Sequence, residues 1–111
     1  MSTVTTHVLD TARGAPAADV PVRLESLSGA GQEEIARAST DADGRVRELG
    51  PGQLPPGTYR LVFDTAAYFA QQRTGGFFPE VAITFTVDGA GEHYHVPLLL
   101  SPFGYATYRG S

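Results

Sequence analysis

EHYHVPLLLSPFGYATYRGS, residues 92–111, reads as two strands joined by a tight turn. Successive side chains of a strand point to opposite faces, so Tyr94, Val96, Leu98 and Leu100 share one face and His93, His95, Pro97 and Leu99 the other. The first set carries no histidine or proline and is the expected core face. His93 and His95 then point the same way, roughly 7 Å apart along the strand. Pro97 has no N–H for a ladder bond, which predicts an edge strand or a bulge on that side. In SPFG (101–104), Pro102 suits a hairpin turn through its fixed φ. Two registers remain open. A two-residue loop at Pro102-Phe103 sets Ser101 opposite Gly104 and brings Tyr108 and Gly110 to the face of His95. A three-residue loop with Gly104 left-handed brings Arg109 and Ser111 there instead.

Other segments repeat the period of two. Val20, Val22 and Leu24 alternate with Pro21, Arg23 and Glu25; Tyr59, Leu61 and Phe63 alternate with Arg60, Val62 and Asp64. Val81, Ile83, Phe85 and Val87 alternate with Ala82, Thr84 and Thr86. Turns rich in Gly, Pro and Asp separate them, at 13–19, 40–45, 50–57 and 88–92. Half-buried strands punctuated in this way predict an all-β sandwich. DTAAYFAQQRTGG (64–76) breaks the pattern: Asp64 or Thr65 can cap a short helix running to Arg73, with Gly75 or Gly76 as its stop. One helix is too few for a parallel βαβ architecture.

The 111 residues fit one domain, 1–111, in which folding buries about 60–70% of the surface of the unfolded chain. A formal net charge of −4 with eight Lys plus Arg leaves no basic stripe for a phosphate backbone, so no nucleic-acid partner is expected. With no cysteine, disulfides and thiolate metal sites are excluded. MSTVTTHVLD (1–10) has neither a basic nor an apolar leader segment, no 18-residue apolar run occurs, and RGS is not a peroxisomal SKL. The expectation is a cytoplasmic protein with no membrane partner.

Chemistry gathers on a few positions. TTHVLD places His7 on a first strand, on the face of Thr5 and Leu9, and TDADGR (40–45) delivers Arg45 after an Asp-Gly turn of hairpin type. The plain alternative is that each is a surface residue of a β-sandwich binding module. A second alternative is metal: two histidines at i and i+2 with a third from elsewhere match a three-imidazole zinc face. Arg45 opposes that reading, since a fixed positive charge repels a cation and suits a carbonyl-rich or anionic ligand.

HYHVPLLLSPFGYATYRGS, taken with HVLDTARGAPA, TDADGR and PPGTYRLVFDTAAYF, resembles the 5-hydroxyisourate hydrolases, transthyretin-related enzymes of urate breakdown for which YRGS (108–111) is a signature. The resemblance runs from about Thr6 to Ser111. It implies a prealbumin-like sandwich of two four-stranded sheets with one short helix. It implies a homotetramer, a dimer of dimers, with the site in a channel at the dimer–dimer interface. The reaction implied is hydrolytic opening of 5-hydroxyisourate to 2-oxo-4-hydroxy-4-carboxy-5-ureidoimidazoline. Carried onto this chain, the catalytic positions are His7, Arg45, His95 and Ser111, and the substrate-binding positions are His93, Tyr108 and Arg109.

Water attacking an amide-like carbonyl needs a base, and a neutral imidazole with pKa near 6.5 serves, which makes His7 or His95 the candidate. Arg45 would stabilise the oxyanion, Ser111 would orient water or substrate, and Tyr108 would narrow the channel wall. No metal, cofactor or covalent intermediate is required. Transthyretin carries small molecules on the same fold, so a carrier without catalysis is the second reading, and the site must separate the two.

Overall fold

The computed structural model describes residues 3–27, 29, 31–89 and 91–111; Ala90, within the turn expected at 88–92, lies outside the described residues. Among the described residues, nine strands and one helix follow in the order β1 (Val4–Asp10), β2 (Ala15–Pro16), β3 (Pro21–Ser26), β4 (Glu33–Ser39), β5 (Arg45–Leu49), β6 (Gly57–Phe63), α1 (Thr65–Gln71), β7 (Val81–Val87), β8 (Tyr94–Ser101) and β9 (Gly104–Thr107). They form two sheets. One runs β4-β3-β6-β7, antiparallel throughout. The other runs β2-β1-β8-β9, and β5 pairs with the part of the β1 edge that the two-residue β2 leaves open. The first sheet is therefore four-stranded as expected, and the second is four main strands plus the short β2.

The alternating residues fill the space between the sheets. Val22, Leu24, Tyr59, Leu61, Phe63, Val81 and Val87 from one sheet meet Val4, Val8, Val96, Leu98 and Leu100 from the other, all buried. Burying such side chains is the main favourable contribution to folding, at about 25 cal/mol per Å² of apolar surface.

α1 begins where its cap predicts, with the Asp64 carboxylate accepting the Ala67 N–H at 3.0 Å. It ends earlier than the glycines suggest. Arg73 takes the left-handed conformation at φ 54°, and the Arg73 and Thr74 N–H groups bond back to the Ala70 and Phe69 carbonyls. That pair of bonds is a Schellman closure with arginine in the usual glycine position. Gly76 serves packing instead, since a Cβ there would stand 2.5 Å from the Phe69 ring. Seven residues are too few for a helix stable alone. Tertiary bonds hold it: the buried Tyr68 hydroxyl donates to Asp10 at 2.6 Å, and Arg13 donates to the Tyr68 oxygen at 3.2 Å.

Three further features differ from the sequence pattern. EEIARAS forms edge strand β4, with mostly exposed or half-buried residues and no clean alternation. The Asp-Gly turn after it is not a hairpin, because β4 pairs with β3 in one sheet and β5 with β1 in the other. β8 is interior, not an edge, since it pairs with β1 in parallel along its length to Leu100 and with β9 on its other side. The missing N–H of Pro97 is accommodated on the β9 side. Regular pairing there stops at Leu98↔Thr107 and resumes as a lone bridge between His95 and Gly110, with the Thr107 hydroxyl donating to the Pro97 carbonyl at 2.7 Å. Ser101 opposes Gly104, so the hairpin has the two-residue loop.

Candidate functional site

β5, β1 and β8 lie side by side, and their register assembles a row of polar side chains. His7 pairs with Arg45 across the antiparallel β1/β5 ladder, while in the parallel β1/β8 ladder His7 is level with Pro97 and Thr5 with His95. Residues level across a ladder share a face. Because Val4, Val8, Val96 and Leu98 of the same strands are buried between the sheets, Thr5, His7, Arg45 and His95 occupy the outer face.

The TDADGR turn sets Arg45 in place. The Asp41 carboxylate accepts the N–H groups of Asp43 at 2.8 Å and Arg45 at 3.0 Å. Those bonds, the Arg45 one foremost, hold its carboxyl below the usual range against a smaller opposing effect of burial. Gly44, at φ 75°, lies flat on β1: it accepts the Val8 N–H at 2.7 Å, and a Cβ there would stand 2.4 Å from the Val8 carbonyl oxygen. Only glycine allows this approach, and the next residue arrives opposite His7. Among the described residues the Arg45 side chain makes no ion pair.

The two site imidazoles are held by different atoms. His7 Nε2 lies 2.9 Å from the Asp43 carbonyl, which can only accept, so His7 carries a proton on Nε2. His95 is half-buried, with Nδ1 2.8 Å from the Thr5 hydroxyl. Burial first, then the positive charge of Arg45 and the neighbouring His93 and His7, push the His95 pKa below the ordinary imidazole value. It is therefore less protonated than an ordinary histidine at the same pH. Gly110 covers the His95 ring: its N–H donates to the His95 carbonyl at 2.8 Å, and a Cβ on it would stand 2.6 Å from Cδ2.

The remaining positions divide. His93 is exposed, with Nε2 3.1 Å from the same Thr5 hydroxyl and its ring 6.5 Å from that of His95, the planes 21° apart. Tyr108 is 57% exposed and borders an apolar cleft of about 300 Å³ whose walls include Phe85, Tyr94 and Val96. Arg109 is not brought to the histidines. Its guanidinium lies 4.6 Å over the Tyr94 ring, on the core-facing side of β8, and 3.9 Å from Glu92. Ser111 is exposed and follows Gly110 directly. No three His, Asp or Glu side chains among the described residues come together as a metal-ligand set.

Two residues that sequence reasoning passed over complete the arrangement. Thr5 touches both His93 and His95, and Gly110 backs the His95 ring. The shared strand face of Thr5 and His7 was a signal for the first. The two-residue hairpin register was a signal for the second.

A two-sheet sandwich with one short helix, presenting imidazoles and a guanidinium on the outer face of one sheet, defines a transthyretin-like class of β-sandwich. Within it the chain belongs to the HIUase/Transthyretin family, whose profile matches residues 4–110. It is 46% identical to the mouse 5-hydroxyisourate hydrolase over 113 aligned positions, covering 99% of this chain and 96% of that protein. Against the Salmonella dublin 5-hydroxyisourate hydrolase the identity is 45%, covering 95% of this chain and 78% of the relative. Among solved structures, the Klebsiella pneumoniae 5-hydroxyisourate hydrolase superposes with a TM-score of 0.86 at 40% identity, covering 100% of this chain and 94% of that one. Transthyretin from Sparus aurata superposes with a TM-score of 0.93 at 34% identity, covering 99% and 97%. The backbone therefore matches a hydrolase and a transthyretin alike, so the fold does not separate the two.

Proposed function

We propose that this protein hydrolyses 5-hydroxyisourate in urate degradation, opening the six-membered ring to 2-oxo-4-hydroxy-4-carboxy-5-ureidoimidazoline. The observation that carries the proposal is the convergence of His7, Arg45 and His95 on adjacent rows of one sheet face. The relatives' names point to the same substrate.

In this reading His95 is the general base. Its surroundings favour the neutral ring, and Nδ1 is engaged with Thr5, so Nε2 is the nitrogen available to take a proton from water. The hydroxide equivalent adds to the ring carbonyl carbon, and negative charge develops on the carbonyl oxygen. Arg45, which makes no ion pair among the described residues, faces that charge and grips the carbonyl edge of the substrate. Collapse of the tetrahedral adduct breaks the ring C–N bond, and the proton held on His95 passes to the departing nitrogen. His7, its Nε2–H fixed on Asp43, offers Nδ1 to water or substrate. Ser111 and His93 contact the substrate from the strand ends.

The histidine face is open on a single chain. This fits a dimer of dimers in which a second copy supplies the other wall of a channel, with Tyr108 at its margin and the cytoplasm as the compartment. Generating 5-hydroxyisourate in situ with urate oxidase and following its ultraviolet absorbance tests the activity. Decay accelerated in proportion to protein supports a hydrolase. The spontaneous rate unchanged, with a ligand bound stoichiometrically, would establish a carrier instead.

A further inference from the structure

Thr5 stands between two imidazole nitrogens, 2.8 Å from His95 Nδ1 and 3.1 Å from His93 Nε2. A hydroxyl owns one proton and two lone pairs, so it can donate to at most one of the two nitrogens and must accept from the other. With the Thr5 proton used between the rings, two arrangements make both bonds; a third, in which both rings donate to the oxygen, also leaves His95 Nε2 bare but sends the hydroxyl proton elsewhere. In one, His95 Nδ1–H donates to Thr5, Thr5 donates to His93 Nε2, and His95 Nε2 is left as a bare base. In the other, His93 Nε2–H donates to Thr5, Thr5 donates to His95 Nδ1, and His95 Nε2 carries the proton, so that it is an acid and not a base.

We propose that Thr5 is a positioning residue whose hydroxyl accepts the Nδ1–H of His95 and donates to His93, fixing the His95 tautomer with Nε2 unprotonated. This rests on the assignment of His95 as base. The surroundings leave the ring little choice of pose. β1 and β8 hold Thr5 level with His95 through an unbroken parallel ladder, and Gly110 closes the ring's other side so tightly that a Cβ would collide with Cδ2. A ring flip that exchanged Nδ1 for Cδ2 would take away the Thr5 bond and leave the half-buried nitrogen without it. His93, exposed and nearly parallel to His95, completes the chain as the outer acceptor. The arrangement has the logic of a catalytic triad, in which a third group acts only by orienting the base.

The chain has three histidines, so long-range ¹H–¹⁵N spectra of the labelled protein resolve every ring once His7→Gln and His93→Gln assign the peaks. Neutral His95 should carry its proton on Nδ1 in the wild type. In Thr5→Val, which keeps the branched shape, the proton should move to Nε2 or average between the two nitrogens, and Thr5→Ser should restore the wild-type pattern. In parallel, kcat of Thr5→Val should fall about tenfold or more with KM little changed, as expected when a base is misoriented and not removed. A wild-type His95 protonated on Nε2, or a tautomer unmoved in Thr5→Val, would overturn the proposal. If Thr5→Val failed to fold, the wild-type spectrum would still decide. Failure of the hydrolase reading is visible separately, as absent turnover with the tautomer pattern intact.

Discussion

The outer faces of the two sheets handle charge in opposite ways. On the β3/β6 side, the Glu25 carboxylate lies between two guanidiniums, accepting from Arg23 Nε at 2.9 Å and Arg60 Nε at 2.9 Å, and Arg60 continues to Gln32. The Arg23 bond above all, with Arg60 beside it, holds Glu25 below the usual carboxylate range despite its burial. The carboxylate and both guanidiniums there are paired with one another. On the β1/β5/β8 side, Arg45 makes no ion pair among the described residues, and His7 and His95 each engage one ring nitrogen there. Closed networks of the first kind stabilise a fold. An array with cationic and basic groups still available is suited to a ligand, and that contrast is what makes the β1/β5/β8 face the candidate site.

The largest effect that would test the contrast comes from His95→Ala. Loss of a general base lowers kcat by about 10²–10⁴-fold, while the melting temperature should change little, since the ring is half-buried and outside the core. Parallel losses of activity and stability would make the two faces alike. Arg45→Gln should follow, lowering kcat by about 10²–10³-fold, the scale of a lost oxyanion donor. It also removes the second of the influences that depress the His95 pKa, so the acid limb of the pH–rate profile should move upward.

Gly44→Ala asks whether the turn sets Arg45. A side chain at φ 75°, pressed on the Val8 carbonyl, should cost about 1–3 kcal/mol in denaturant unfolding and lower kcat together with it. Glu25→Gln should do the reverse of His95→Ala, losing about 2 kcal/mol of stability with the turnover of the folded enzyme unchanged.

The smallest effect is that of pH. Depressed in the folded state, His95 remains a base below its ordinary value of about 6.5, so activity should persist to lower pH than for an unperturbed histidine. For stability the unfolded chain binds the proton first. The His95 contribution is therefore present above about pH 6.5 and lost as pH falls toward the depressed folded value, which thermal melts across that range would detect.

Much of this molecule was legible in local pattern because side-chain direction along a strand has a period of two whatever the strand pairs with. The core faces of β3, β6, β7 and β8, the Asp64 cap and the placement of Arg45 after a turn all follow from that and from turn chemistry. EEIARAS escaped because neither of its faces is fully buried, so burial imposes no alternation on its residues, and Arg73 rather than a glycine closed the helix because the backbone bonds of the closure outweigh the left-handed strain. The Asp-Gly turn looked like a hairpin because turn residues specify a reversal and not the sheet that receives the next strand.

The sequence by itself determined that two histidines share a face and that an arginine follows a tight turn. Only the tertiary structure decided that β1 lies parallel to β8 and antiparallel to β5, which brings Thr5 and His7 against His95 and Arg45. Local period encodes which way a side chain points. Which strand becomes its neighbour is settled by closing loops of up to about 90 residues around a shared core, where the burial of many side chains outweighs the local preference of any one.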